Sequence, residues 1–492
     1  MTYPEVIKYL DSFIDYERMP QYPYRQSLRL ERIRGFLKIL NNPQEDLKCI
    51  HIAGTKGKGS TCAFIAYILC ESGFKVGLYT SPHLYDRRER IRILSPQHSE
   101  RQMSQSKEEF KGMISSEELI ALVERLKPEI EKYNSQSQYG PLSFFEVYTV
   151  LAFVYFKEKR VDFAVLETGM GGRLDATNTV DSLIAAIAPI SYEHTKQLGT
   201  TLAEIASEKA GIIKNQKPTA KLGIYHSPEP EKVKDQKAIV IIAPQEKEVV
   251  EVIRGRAKQQ GAILYEIGRD IIFEKEESFL DYQCFNINGA FGRLTDLKIK
   301  LLGSHQIINA TLAVSVVLAL GQFYQVRLNL EAIRDGLYNT IWPGRFEILP
   351  EMPLVVLDGA QNFASAQALG QTLTEIFPDK RIILVLGVSQ DKDIKGITKA
   401  LIPRSNEVIL TRADNPRAAD VNVIEKIVGS QFSAINCPIN KTRGVKEAIE
   451  LAGQKSGPGD LILVTGSLFV VGEARDIKTN IHPKKSPPKR KK

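Results

Sequence analysis

Residues 49 to 64, CIHIAGTKGKGSTCAF, constrain the fold more than any other stretch. The β-prone run CIHIA leads into three glycines, two lysines and three hydroxyls, and the apolar run CAFIAYILCESG follows, closing at Gly73. A strand, a glycine loop and a helix in that order leave unpaired backbone N–H groups at a helix start, where anionic oxygens are favoured. Gly54, Gly57 and Gly59 carry no Cβ to block that approach. The backbone from Gly54 through Thr55 to Ser60 can therefore cradle phosphates. Lys58 can bridge the terminal ones, and Ser60 or Thr61 can reach a phosphate or a magnesium ion. The spacing departs from the general G-x-x-x-x-G-K-[ST] pattern: Ile52 stands at the first glycine and Gly59 at the hydroxyl. A glycine-rich turn without a ligand also fits these residues.

Short apolar runs alternate with helical patterns along the rest of the chain, which argues for parallel α/β layers. Expected strands are 49–53, 76–80, 161–167, 183–190 and 238–243. A second group lies at 353–359, 381–387, 407–411 and 460–466. A length of 492 residues exceeds one ordinary core. Pro343–Gly344 in IWPGRF breaks a helical pattern and marks a boundary. The fold expected is α/β, with an N-terminal P-loop-type, mostly parallel sheet domain (1–341). A smaller, Rossmann-like C-terminal α/β domain (342–474) and a basic disordered tail (475–492) follow. Residues 96–114 are polar and read as a surface insertion. After them, Ser115 and Glu118 have capping-box spacing, and Leu119, Leu122, Val123, Leu126 and Ile130 form a helical core stripe.

Several function classes are excluded. The net charge of +8 suggests nucleic acid, but the last eighteen residues alone carry +7, so the body is nearly neutral. The five cysteines are scattered, with no C-x-x-C pair to suggest zinc or disulfides, which fits a reducing cytoplasm. MTYPEVIKYLDSF carries Glu5, Lys8 and Asp11 and does not read as a signal peptide. The apolar run VYTVLAFVYF is too short to span a bilayer. No membrane or nucleic-acid partner is expected, and a monomer is.

The loop GTKGKGST resembles the GTNGKGS loop of the folylpolyglutamate synthase and dihydrofolate synthase family of the Mur ligase superfamily, with Lys56 where that family has asparagine. Further matches run in the family's order: TSPHL (80–84), LETGMGGRLDATN (166–178), EHTKQLGTTLAEIASEKAGIIK (193–214), GSHQIINA (303–310), WPGRFE (342–347), DGAQN (358–362), DKD (391–393) and TGSLFVVGE (465–473). The resemblance implies an ATP- and Mg2+-dependent amide ligase. Its substrates would be dihydropteroate or reduced folates and L-glutamate, joined through an acyl phosphate. Such chemistry needs cations and a metal around the transferred phosphoryl group.

Glu167 and Ser81 follow expected strands and so fall at the sheet edge where ligands bind in open α/β sheets. The resemblance assigns both, with His194, to magnesium. It implies catalytic roles for Lys58, His194, Lys209 and Arg345, with Lys209 as a carbamylated lysine. It places Asn309 beside adenine, Arg345 on the ATP phosphates and Asp358 beside the ribose. Arg173 and Asp175 look like pterin-side residues. Phe145 adds an aromatic wall or is a core residue at a helix start. Ser467 and Gln361 fall on the glutamate side. Gln361 replaces the family's histidine and cannot carry its positive charge, which bears on glutamate affinity. The alternatives are a ligase with one of the two folate activities, a peptidoglycan Mur-type ligase, or a nucleotide-binding scaffold without catalysis.

Overall fold

The computed structural model describes residues 1–19, 22–96, 110–215, 237–349, 353–431 and 437–481. It contains two compact units. The first comprises Met1–His83 and Arg87–Trp342; the second comprises Leu84–Asp86 and Pro343–Lys492.

The first unit is built on a seven-stranded sheet of order β3-β2-β4-β1-β5-β6-β7. Its strands are β1 (Cys49–Ala53), β2 (Val76–Tyr79), β3 (Ile91–Leu94), β4 (Phe163–Glu167), β5 (Ser182–Ile187), β6 (Ile239–Ile242) and β7 (Ile263–Glu266). Only β3 runs antiparallel to its neighbour. The central strands are buried on both faces, which is why they read as unbroken apolar runs rather than alternating ones. One face carries the helices Lys58–Glu71, Ser304–Tyr324 and Leu330–Asn339. The approach there is close: a Cβ on Gly336 would lie 2.4 Å from the Ile68 Cα. The other face carries Leu30–Ile39, Ser116–Gln136 and Phe144–Glu158.

The Ser115–Glu118 capping box forms as expected, each backbone N–H meeting the other's side chain at 3.1 Å, and all five residues of the helical stripe are buried. Residues 97–109 of the expected surface insertion lie outside the described residues. Its end departs from that reading: Phe110 and Ile114 are buried, and Met113 bridges to Arg92.

Three antiparallel strands, β8 (Ile271–Ser278), β9 (Gln283–Gly289) and β10 (Gly292–Ile299), form a separate sheet. They are half-exposed, so their apolar positions are too sparse to stand out. Ile271, Phe285, Ile287, Leu294 and Leu297 nevertheless join the first unit's core. The helix Ser304–Tyr324 is the one among the described residues long and apolar enough to cross a membrane, with hydropathy 1.7. It exceeds the ten-residue run singled out from sequence. Its most apolar window is 72% buried inside the protein, as expected of a core helix.

The second unit has a six-stranded sheet of order β11-β12-β16-β13-β14-β15. Its strands are β11 (Glu347–Leu349), β12 (Leu354–Leu357), β13 (Ile382–Leu386), β14 (Glu407–Leu410), β15 (Ile439–Lys441) and β16 (Leu461–Thr465). Here too one edge strand, β11, is antiparallel. The segment read as a disordered tail begins inside a helix, Leu468–Ile481. Arg475 is buried and pairs with Glu347 at 2.8 Å. Residues 482–492 lie outside the described residues.

Candidate active site

The loop between β1 and the helix Lys58–Glu71 turns through two glycines with positive φ, Gly54 (150°) and Gly57 (81°). Gly57 is the residue immediately before the helix, so the first helical N–H groups have no intrahelical partner. The loop is pinned from the segment after β5. Pro189 O accepts from the backbone N–H of Thr55 at 2.9 Å and of Lys56 at 3.1 Å. The Thr55 hydroxyl donates to Ser191 O and accepts from Ser191 N, both at 3.1 Å. Lys56, the departure from the family's asparagine, pairs with Glu193 at 3.0 Å. The sequence reading missed Glu193, although an acid one residue before His194 in a matched motif was visible.

Lys58 is turned toward the end of β4, its Nζ 3.7 Å from Glu167 Oε1. The other oxygen, Glu167 Oε2, accepts from the Ser81 N–H at 3.1 Å. β2 and β4 are parallel neighbours, so Ser81 and Glu167 leave the same sheet edge. Ser60 and Thr61 are buried in the first helical turns. Among the described residues the Thr61 hydroxyl has no hydrogen-bond partner, and neither does that of Thr168 beside Glu167. Buried hydroxyls without partners are uncommon, and these two flank the Lys58–Glu167 pair in sequence.

Lys209, at the end of the helix Leu202–Lys209, is buried and donates to Gly54 O at 2.7 Å. Burial first, then the Lys58 charge, brings its ε-amine from 10.5 down to about 7; Glu193 opposes this and Lys56 adds to it. Asn309 is buried rather than a surface amide. Its Oδ1 would lie 2.0 Å from a Cβ on Gly57, and its Nδ2 donates to Gln306 at 2.9 Å. His194 is half-buried and holds a left-handed backbone, φ 52° and ψ 38°. For a residue with a Cβ such a conformation costs energy and is concentrated at functional sites. Among the described residues, no three His, Cys, Asp or Glu side chains converge to hold a metal ion by themselves.

The pterin-side candidates divide. Phe145 packs against Gly169, where an added Cβ would lie 2.6 Å from the ring. Asp175 belongs to the same loop, but its carboxylate is held locally. It accepts from Thr177 N at 3.0 Å, Thr177 Oγ1 at 2.5 Å and Met170 N at 2.9 Å, and burial raises its pKa. Arg173 forms a two-pronged pair with Glu208, 2.7 Å at its shortest. Both line an open groove of about 690 Å³ with Leu28, Arg29, Glu31 and Tyr139. Glu146, the neighbour of Phe145, is a core residue paired with buried Arg32 at 2.8 Å.

In the second unit, Asp358 ends β12. Its two oxygens accept from Phe346 N at 2.8 Å and Ala360 N at 2.9 Å. Burial raises its pKa, and Arg345 opposes that rise. Arg345 Nη1 donates to Gly344 O at 3.0 Å and would lie 2.8 Å from a Cβ on Gly359. Gln361 donates its backbone N–H to Ser365 Oγ at 3.1 Å. Buried Ser467 accepts from Phe469 N at 3.3 Å.

Comparison with known proteins identifies the family. Residues 118–317 match the Mur ligase middle domain and residues 344–468 the Mur ligase glutamate ligase domain. The chain is 32% identical over 451 residues to a dihydrofolate synthase/folylpolyglutamate synthase of Bacillus subtilis, covering 91% of this chain and 94% of that one. It is similar in structure to the Mycobacterium tuberculosis folylpolyglutamate synthase complexed with ADP, with a TM-score of 0.80 and 30% identity over 99% of each chain. The Escherichia coli FolC protein in complex with DHPP and ADP gives a TM-score of 0.76 at 25% identity, covering 98% of this chain and 99% of that one. A phosphate-type loop joined to an acid, a buried lysine and a glutamate ligase domain, in a chain related to these proteins along its whole length, has one conclusion: the chain belongs to the dihydrofolate synthase/folylpolyglutamate synthase family of Mur ligases.

Proposed function

We propose that the chain is an ATP-dependent ligase that joins L-glutamate to dihydropteroate, forming dihydrofolate, and to tetrahydrofolate, forming polyglutamates. The observation that carries this reading is the cluster at the phosphate loop: Lys58 faces Glu167 at 3.7 Å while buried Lys209 holds Gly54 O at 2.7 Å. Three ionisable side chains from distant segments gather where a helix start already favours anions.

The acceptor carboxylate attacks the γ-phosphorus of ATP and ADP leaves. The amino group of glutamate then attacks the acyl carbon, loses a proton, and phosphate leaves. Lys58 and the loop's N–H groups stabilise the charge on the phosphoryl oxygens. A magnesium ion fits the residues present, because it needs few protein ligands and prefers hard oxygens. Glu167 would supply the carboxylate and Ser81 and Thr61 hydroxyls, with His194 as the remaining proposed ligand. The ion's contribution when bound is neutralisation of phosphate charge. Asn309, seated on Gly57, is the proposed adenine-side residue; Arg345 and Asp358 are the proposed phosphate-side and ribose-side residues. Phe145, Asp175 and Arg173 form the pterin side, and Ser467 and Gln361 the glutamate side.

Lys209 is the residue for carbamylation. An ε-amine brought down to about 7 is substantially uncharged near neutrality, so it can add carbon dioxide and become an anion. We read the protein as a cytoplasmic monomer.

The test is product mass. With ATP, glutamate and dihydropteroate, one glutamyl addition is expected, and further additions with tetrahydrofolate. ADP release in the absence of either acceptor, or no release with both, overturns the reading.

A further inference from the structure

The chain has a single tryptophan, Trp342. It is the last residue of the first unit, and the family motif it opens gave no reason to connect it with the phosphate loop. Its indole lies against Gly59, in the first turn of the phosphate-loop helix. A Cβ placed on Gly59 would lie 3.0 Å from Trp342 Cζ2 and 3.3 Å from Nε1. Serine or alanine there would press on the ring, so glycine at this position serves the indole as well as the ligand.

The indole is itself held from behind. Arg92 on β3 is fully buried, and its guanidinium carbon lies 5.8 Å from the Trp342 ring centroid and 5.6 Å from that of Phe110. Phe110 meets Trp342 edge-on, with centroids 6.4 Å apart at 80°. Arg92 Nε donates to Lys111 O at 2.8 Å. Its two terminal nitrogens are buried without a hydrogen-bond partner among the described residues. A buried guanidinium is normally matched by an acid and its donors by acceptors; here the aromatic faces stand in for them. Leucine or methionine would fill the same space without leaving N–H groups unsatisfied. What the guanidinium adds is a directional attraction that fixes the plane of the indole.

We infer that Trp342, seated by Arg92 and Phe110, is a positioning residue for the phosphate loop: its ring braces Gly59 so that the first N–H groups of the helix Lys58–Glu71 already point at the triphosphate before it arrives. This rests on the reading of the loop as a nucleotide site. An unbraced first turn frays, as helix ends do, and its N–H groups must then be ordered at the moment of binding, which weakens affinity.

Because the tryptophan is unique, emission reports on it without labelling. Mg-ADP is titrated into the full-length protein, followed in parallel by calorimetry and by tryptophan emission. A saturable emission change with the calorimetric midpoint is expected. Trp342→Ala is expected to raise KM for ATP by about tenfold with a much smaller change in kcat, the pattern of lost binding common to ground and transition states. Trp342→Phe, which keeps a ring on Gly59, should restore most of the affinity. Arg92→Leu should shift KM in the same direction, and combining it with Trp342→Ala should add little, since the two act as one unit. Calorimetric binding by the unsubstituted protein without any emission change overturns the inference. So does a Trp342→Ala protein that binds Mg-ADP as tightly as the unsubstituted one, or a Trp342→Phe protein no better than Trp342→Ala. Failure of the unsubstituted protein to bind Mg-ADP at all overturns the nucleotide site, and this inference with it.

Discussion

The two sheets follow one plan: central parallel strands buried on both faces, with an antiparallel strand at one edge. What the strand ends do with their polar residues differs. In the first unit the candidates around the phosphate loop engage distant segments: Lys58 with Glu167, Ser81 with Glu167, Lys209 with Gly54; Asp175 is held by its own loop. Nearby, the hydroxyls of Thr61 and Thr168 have no partners among the described residues. In the second unit the candidates engage their own backbone: Asp358 holds Phe346 and Ala360, and Ser467 caps Phe469. A polar residue that satisfies its local backbone is primarily a builder of the loop. One that faces another charge from a distant segment, beside unsatisfied groups, is arranged for something added later. The same architecture therefore puts its polar strand-end residues to two uses: paired with distant segments in the first unit, and holding loop backbone in the second.

The contrast predicts that first-unit substitutions act on rate and second-unit ones on stability. The largest effect is expected for Lys58→Ala: loss of turnover by about a thousandfold or more, because a preorganised charge at the transferring phosphoryl group is removed. Thermal melting should change little; a protein that unfolds instead breaks the comparison. Gly57→Ala comes next. Its φ of 81° and the Asn309 oxygen 2.0 Å from the new Cβ leave the methyl no room, so nucleotide binding measured by calorimetry should fall by about a hundredfold. Asp358→Asn turns one hydrogen-bond acceptor into a donor facing a backbone N–H. Its cost should be about 1–3 kcal/mol, read as a lower denaturation midpoint. An unchanged midpoint would remove the distinction between the units.

Lys209 gives the sharpest pH test. Its folded-state value, about 7, lies below the ordinary 10.5. Between these values the unfolded chain binds more protons than the folded one, so stability of the ligand-free protein rises with pH across that window and levels off above it. Lys209→Met should flatten this rise. The smallest effect belongs to Ser467→Ala, which removes one cap and should cost about 1 kcal/mol, with a modest rise in KM for glutamate.

Legibility followed the same division. The nine strands read from the sequence are all present, because buried parallel strands are continuous apolar runs. The half-exposed β8–β10 were missed because alternation dilutes that signal, and the edge strands β3, β7, β11 and β15 because three or four residues are too few to show a period. Motif residues at strand ends, Glu167 and Ser81, were placed by the rule that ligands collect at the carboxyl edge. Contacts between elements were not legible: nothing local to Asn309 says that it lies on Gly57, or that Trp342 lies on Gly59. Arg173 shows the converse. Its motif points to a ligand, while its nearest strong partner, Glu208, lies in a different motif.

The helix that follows the phosphate loop is buried by Ser304–Tyr324 and Leu330–Asn339, both drawn from far downstream in the chain. During translation the ribosome therefore releases the loop long before the pieces that cover it. A nascent chain that has not yet extended past Asn339 carries an apolar helix with nothing over one side. Nucleotide binding must wait for nearly the whole first unit to emerge, and until then holding that bare surface out of aggregation falls to whatever meets the chain at the exit tunnel.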